Sequence, residues 1–519
     1  MQNDKIINEY KSMRSRKKRI NRAKKYFISI ILILQFTLTI EDAESSVYQE
    51  ILINNISRQQ LVALAQQGVI IDHVYQNNAT IYLLDEQISI LDNMELQYKI
   101  RPINRHQKKS DNYPTVDQMN KTLQTFEKDY PDLCQLYDIG KSYEGRSLYF
   151  IKISDHVSYE EDEPEVKYIS SMHGDEPVGA ILCLNLIRYL LQNYNKIDSV
   201  SKFVDNLEIW IMPLMNPDGY VHQKRFNMQG IDLNRNFPDR VKDNNNTPKG
   251  RAIEVQHVMN WESVHSSVLS VNFHTGVVVV NYPYDSDFDP FATYSPTPDN
   301  KLFKSMALSY ANLNPSMRNS TAFDSGITNG VEWYMVYGGM QDWSYVWMGC
   351  MELTIELYQT KWPAYSKISQ IWENNRDAML NYFSWAEKGI RGVVTDLITK
   401  QPLQACIQVE NKDFKVYTDP DVGDYHRILL PGNYNLIISA DGYVTKYVTN
   451  IQVTDGYASR QDIELMPAAD ISILDIINML KALSTRSAPI PAKYDDINSD
   501  GQLGLSDVIW ALRFVAYFE

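Results

Sequence analysis

The order of apolar and polar residues divides the 519-residue chain into blocks of different period. Residues 47 to 104 read strand, helix, strand, helix, strand in the segments YQEILIN, SRQQLVALAQQG, ATIYLLD, EQISILDNM and LQYKIRP. Alternation marks the strands and a 3.6-residue repeat marks the helices, so a small α/β unit is expected, closed by the polar stretch NRHQKKSDNYP. From 113 to 387, β-rich runs alternate with helical runs, as in VKYISSM followed by VGAILCLNLIRYLLQNY. Such alternation predicts an α/β domain with a mixed, largely parallel sheet, helices on both faces, and ligands gathered at the carboxyl ends of the strands. Near Lys388 the helical period stops. RGVVTDL, ACIQVE and YNLIISADGY then follow as short alternating strands between turn residues, a β-sandwich pattern. From Ala468 two short amphipathic helices, LDIINMLKAL and SDVIWALRFVAYF, resemble a degenerate tandem repeat.

Length agrees with several units, because domains of roughly 100–200 residues are the norm. The 44% hydrophobic content is that of a globular protein. Between Met1 and Lys25 lie ten Lys/Arg and two Asp/Glu, followed by the apolar run YFISIILILQFTLTI, which is the pattern of a signal peptide. The run is short of the roughly 20 apolar residues of a membrane span. Cleavage near Ser46 and a secreted or periplasmic product are expected, with an uncleaved signal anchor as the alternative. Without that basic leader the chain is more acidic than its overall −14, a charge that repels nucleic acid and attracts cations. Four widely spaced cysteines, Cys134, Cys183, Cys350 and Cys406, do not make a disulfide scaffold. The expected division is residues 1–45 signal peptide, 46–105 N-terminal α/β unit, 112–388 catalytic domain, 389–467 β-sandwich and 468–519 helical module.

Among nine histidines, only His173 has a glutamate three residues on, Glu176, in SSMHGDEPVG. One imidazole and one carboxylate can then face a single point, and a catalytic zinc takes three protein ligands. Alone, such a pair is usually an ordinary surface salt bridge. The strand SVLSVNFHTG brings a further candidate, His274, to the same kind of strand end. His222, His257 and His265 sit in polar or helical text, and His73, His106, His156 and His426 lie outside any strand-end constellation. NPDG and DLNRNFP follow the apolar strand LEIWIMPLM; an asparagine beside an arginine can fork a carboxylate, although such residues also form turns.

HGDEPVG, LMNPDGY, DLNRNFP, NFHTGVVVVNYPYD, GITNGVEWYMVYGGMQDWSY and ELTIELYQTKWP occur in the order found in zinc metallocarboxypeptidases, and the middle block most resembles the group containing carboxypeptidases N and E. That resemblance implies His173, Glu176 and His274 as ligands of Zn2+, Glu356 of TIEL as general base and Arg225 of KRFN as the oxyanion-stabilising arginine. It implies that Asn234 and Arg235 clamp a substrate's terminal carboxylate and that Tyr334 closes over it. Glu352, four residues before Glu356, points the same way on a strand, and only the family motif selects Glu356. Asp285 and Gln341 fall where basic-specific relatives place an acid and its neutral partner, which implies preference for C-terminal Lys or Arg. The alternative is that Asp285 is an exposed loop residue like Asp287 and Asp289. Two departures stand beside the metal motif: Thr275 replaces a glycine and would narrow the pocket, and Asp175 replaces an asparagine.

Residues 389 to 466 resemble the transthyretin-like domain of the same enzymes, and the N-terminal unit resembles prosegment-like domains that cover the active site or assist folding. In the tail, DINSDGQLGLSD sets Asp496, Asn498, Asp500, Gln502 and Asp507 at the rhythm of an EF-hand-like calcium loop, similar to a dockerin repeat. Ca2+ binding and a weak cohesin-like or cell-surface partner are expected there. The overall expectation is an exported exopeptidase acting on peptide or protein C-termini. A catalytically silent peptide-binding or adhesion protein, and a zinc carboxypeptidase acting on peptidoglycan stem peptides, remain as alternatives.

Overall fold

Strands that are apolar on both faces must be covered on both faces, and the middle block obeys this. The computed structural model describes residues 48–101, 112–397, 399–468, 473–485 and 503–518. Within it, the strands Glu165–Ser170, Glu208–Met212, Leu269–His274 and Met351–Leu357 are buried at every position. The residues expected to form a signal peptide, and Asp496, Asn498, Asp500 and Gln502 of the expected calcium loop, lie outside the described residues.

The N-terminal unit contributes β1 (Tyr48–Ile53), β2 (Ile70–Tyr75), β3 (Asn78–Leu84) and β4 (Tyr98–Arg101), ordered β2-β3-β1-β4 with every pair antiparallel. Its helix Arg58–Gln66 begins at Ser57, whose side chain and Gln60 form a reciprocal capping box that satisfies two otherwise orphaned amides. Strand β2 departs from the sequence reading, which placed no element between the helix and ATIYLLD. Asp72 and His73 interrupt its apolar alternation, because they face another domain and not the core of their own.

The central sheet contains β5 (Cys134–Lys141), β6 (Ser147–Ile153), β7 (Glu165–Ser170), β8 (Glu208–Met212), β9 (Leu269–His274), β10 (Val278–Tyr282), β11 (Ile327–Asn329) and β12 (Met351–Leu357). Their order is β11-β10-β12-β9-β7-β8-β6-β5. The inner run β12-β9-β7-β8 is parallel, and antiparallel pairs flank it on each side. The helices Val178–Asn193 and Ile368–Phe383 join the largest apolar cluster with one face of the sheet, while Trp210, Trp261, Trp343 and the helix Ile253–Glu262 form a second cluster. Charged residues in these strands find buried partners. Lys167 and Glu262, both without exposed side-chain surface, meet at 2.6 Å.

Two further four-stranded sheets, spanning Gly389–Leu465, make the β-sandwich, and the first of its strands, Gly389–Asp396, pairs with three others. The helices Ile473–Thr485 and Leu505–Phe518 follow as the sequence pattern anticipates. No helix among the described residues is long and apolar enough to cross a membrane.

Candidate active site

Parallel strands deliver their carboxyl ends to one edge of the sheet, and that edge holds the site. The loop after β7 carries His173 and Glu176, and β9 ends on His274. Glu356 lies beside His274 in the β12–β9 register. The turn at His173 is tight because Gly174 lies against the Asn216–Tyr220 turn: a Cβ there would fall 2.0 Å from the carbonyl carbon of Gly219. Asn216 Oδ1 accepts from Gly219 N at 2.8 Å, so the NPDG string is a turn that backs the loop carrying His173.

Three donor atoms converge. His173 Nδ1 is 3.0 Å from Glu176 Oε1, His274 Nδ1 is 3.0 Å from Glu176 Oε2, and the two imidazole nitrogens are 3.1 Å apart. Bonds of about 2.0–2.1 Å to a tetrahedral zinc would set adjacent donors about 3.3 Å apart, close to this spacing. Four groups of His and acidic residues among the described residues have clustered donor atoms, and this is the one that is buried throughout. Its chemistry also fits a cation, since two imidazole nitrogens and a carboxylate converge on one buried point. Burial opposes ionisation of Glu176, but the flanking imidazoles outweigh it and hold the carboxyl well below its usual range. Asp232 Oδ1 lies 3.1 Å from His173 Nε2, and such a carboxylate orients an imidazole whose other nitrogen is to be a ligand. Asp232 was not singled out from sequence, although it opens the DLNRNFP string.

Glu352 and Glu356 are separated by their partners. Glu352 Oε1 accepts from Asn272 Nδ2 and its Oε2 from Ser344 Oγ, each at 2.7 Å, so its carboxylate is saturated by structure. Glu356 lines the cavity, and among the described residues nothing hydrogen-bonds its buried Oε2. Burial and the neighbouring charges of Glu176 and Asp72 hold its pKa well above the usual carboxylate value. Arg225, 3% exposed, donates from Nε to Asp232 Oδ2 at 2.9 Å and lies against His173. Asn234 and Arg235 occupy a short helical turn beside it, and both line the same cavity with Tyr334.

Asp285 lines the same cavity and is buried, unlike Asp287 and Asp289. Gln341 Nε2 donates to Asp285 Oδ1 at 3.1 Å, and Gln341 Oε1 accepts from Thr354 N at 2.7 Å. Asn281 Nδ2 also donates to Asp285 Oδ1, at 2.8 Å; it is a polar break in VVVVNY that the sequence reading passed over. Burial pushes the Asp285 carboxyl up to about 6, against the lowering influence of the Asn281 amide. Beneath it Asp342 accepts from the Asp285 and Ser286 amides, and its own carboxyl is raised by burial and by Asp285.

The departures beside the metal motif act on the rim. Thr275 lines the cavity, but its hydroxyl is turned to donate to Lys361 O at 3.0 Å. Lys361 Nζ reaches Asp175 Oδ2 at 3.1 Å, so the substituted aspartate holds a lysine at the site that sequence reasoning did not pick out. His73, whose sequence context places it outside any strand-end constellation, lines the cavity, 3.0 Å from Asp72 Oδ2. His265, in polar text that predicts a surface position, is instead largely covered, stacked on Trp261 and 2.6 Å from Glu165 Oε1.

The N-terminal unit reaches into this cavity. Asp72 Oδ1 bonds Arg225 Nη1, Ile71 O accepts from Arg235 Nη2 at 2.7 Å, and Asp72 O accepts from the Tyr334 hydroxyl at 2.7 Å.

Residues 119–378 match the family described as zinc carboxypeptidase, and residues 389–466 match the carboxypeptidase regulatory-like domain. The chain belongs to the zinc carboxypeptidase family. It is 39% identical over 339 residues to carboxypeptidase SOL1 of Arabidopsis thaliana, an alignment covering 65% of this chain and 69% of that relative. It is 42% identical over 349 residues to carboxypeptidase D of Homo sapiens, covering 63% of this chain and only 25% of the relative's length. In fold it is similar to the crystal structure of carboxypeptidase A from Helicoverpa armigera, with a TM-score of 0.52 at 18% identity over 66% of this chain and 97% of that one.

Proposed function

We propose that the chain is an exported, zinc-dependent carboxypeptidase that hydrolyses the last peptide bond of peptides or proteins and prefers C-terminal Lys or Arg. The observation that carries this is the convergence of His173, Glu176 and His274 within one buried cluster, with the unpaired Glu356 carboxylate on the same cavity. Zinc held by those three residues supplies a Lewis acid that activates water and polarises the scissile carbonyl. Glu356 takes a proton from the attacking water and returns it to the leaving amine. Arg225 faces the oxygen on which negative charge develops, in a setting where a fixed charge is strongly felt. Arg235 and Asn234 grip the terminal carboxylate, and Tyr334 closes over it. A chain lacking a free C-terminus would leave the Arg235 guanidinium poorly paired, which restricts cleavage to the end of a chain.

Asp285 reads the last side chain. A carboxylate held by Asn281 and Gln341 at the base of a covered pocket favours a guanidinium or ammonium over a neutral group. Export rests on the basic leader followed by an apolar run, and the calcium loop of the tail rests on the sequence rhythm that ends at Asp507. The test is release of lysine, arginine or phenylalanine from blocked dipeptides, with and without a chelator. Chelator-sensitive release of the basic residues supports the reading. No release from a zinc-loaded protein whose site is open would favour a silent peptide-binding role.

A further inference from the structure

Two of the residues that hold Asp285 in place, Gln341 and Asp342, share one short helix, Met340–Met348, and the β-sandwich grips that helix at Tyr345. Tyr345 lies four residues after Gln341 and three after Asp342, a spacing that puts it on the same helix face as each, and it is buried. Its ring stacks on Phe414 of the sandwich, with centres 4.2 Å apart and planes 12° from parallel. Its hydroxyl donates to Asp299 Oδ2 at 3.1 Å, the same oxygen that accepts from Arg427 Nη2 at 2.7 Å. We propose that the β-sandwich takes part in selecting the substrate's last side chain, with Phe414 and Arg427 as positioning residues that act through Tyr345 on Gln341, Asp342 and so on Asp285.

Arg427 ends the strand Asp424–Arg427 of the sandwich and is buried, its guanidinium carbon 4.5 Å from the centre of the Phe414 ring. Lys412 Nζ donates to Asp299 Oδ1 at 2.9 Å, so both oxygens of Asp299, a residue of the catalytic domain, are held by cations of the sandwich. Burial opposes ionisation of Asp299, but Arg427 and Lys412 outweigh it and hold the carboxyl below its usual range. Breaking a buried ion pair from one side is strongly unfavourable, so the two domains are locked in one register at this point. The helix also ends against the sandwich: at its cap Gly349, with φ +72°, an added Cβ would come 2.7 Å from Lys415 O. Tyr345 further meets Tyr284, with ring centres 5.7 Å apart, and Tyr284 directly precedes Asp285. The sandwich therefore reaches Asp285 along two routes, through the helix and through Tyr284. Recognition groups must be held to within about 0.5 Å of their working geometry by such supporting contacts. Loosening the helix alters that geometry at Asp285, whereas His173, Glu176, His274 and Glu356 stand on other elements and keep their places.

The inference rests on the proposed role of Asp285, so its test reads selectivity in either direction. Zinc-loaded full-length protein and the variants Phe414→Ala and Tyr345→Phe would be compared for kcat and KM on blocked dipeptides ending in arginine and in phenylalanine. Phe414→Ala removes the stacking partner of Tyr345. It is expected to lower the arginine-to-phenylalanine ratio of kcat/KM about 2- to 30-fold, the scale on which packed side-chain networks couple separate sites, chiefly by raising KM for arginine. Tyr345→Phe keeps the stack and loses the bond to Asp299; a smaller shift in the same direction is expected, and this variant decides the matter should Phe414→Ala misfold. A purely structural support would remove active molecules and lower both substrates alike. An unchanged ratio in the folded variants would overturn the inference. A wild type that favours phenylalanine, with the ratio still moved by the variants, would uphold the positioning role and refute the basic preference. Should no form hydrolyse either dipeptide, the ratio of calorimetric affinities for free arginine and phenylalanine is read in the same way.

Discussion

Replacing Asp285 by asparagine keeps the size of the side chain and removes the charge that the pocket was inferred to use. The surrounding donors, Asn281 and Gln341, converge on one oxygen, so the cation of a substrate would meet a carboxylate already fixed in place. A hydrogen bond to a charged group contributes about 1.5–3 kcal/mol, and about 1.4 kcal/mol is a factor of ten. Asp285→Asn should therefore lower kcat/KM for a C-terminal arginine about 10- to 100-fold relative to that for a C-terminal phenylalanine. The ratio of the two substrates on one preparation is the right quantity, because any fraction of molecules whose site is covered divides out. The same ratio carries a pH signature. The free-enzyme Asp285 carboxyl, pushed up to about 6 by burial, is neutral below that pH and charged above it. Since kcat/KM reports ionisations of the free enzyme, preference for arginine should rise with pH through about 6 and then level off. In Asp285→Asn that rise should vanish. A substitution that lowers both substrates equally, or a preference unchanged across this range, would refute the assignment.

Glu356→Gln should reduce kcat by roughly 10²–10⁴-fold, the usual scale of general acid–base catalysis, with zinc content unchanged; steady-state kinetics and metal analysis check this. Lys167→Ala should destabilise the fold by about 3–5 kcal/mol, because the Glu262 carboxylate, without exposed surface, would be left unpaired. Urea unfolding measures that loss, and zinc affinity of the folded protein should not change. Gly174→Ala should disrupt the site, since its added carbon would overlap the Gly219 backbone, and weaker zinc retention on dialysis would reveal it.

The alternation of strands and helices made the central sheet legible, although its inner strands, buried at every position, carry polar residues such as Lys167, Asn272 and Glu352 among their apolar ones. His173, Glu176 and His274 were legible because each sits at or just beyond a strand's carboxyl end, a local feature. The choice of Glu356 over Glu352 was not legible from pattern, since residues four apart on a strand share a face. The distinction lies in Asn272 and Ser344, which are distant in sequence and saturate Glu352. Strand β2 was missed for a related reason. Asp72 and His73 break its alternation to serve contacts with Arg225, Lys361 and the cavity, and no local rule anticipates a polar pair facing a partner domain. Asn281 and Lys361 were likewise visible as residues but not as neighbours of the site. Of the expected calcium loop only Asp507 falls among the described residues; it is buried, with Oδ2 accepting from Gly504 N at 2.7 Å.

The central claim is that one zinc ion is gripped by His173, Glu176 and His274. Metal analysis of the purified, dialysed full-length protein and of His274→Ala tests it most directly, with circular dichroism to show that the variant is folded. The account predicts one tightly held zinc per chain in the wild type and its loss in the folded variant. Zinc retained in full by folded His274→Ala would contradict it.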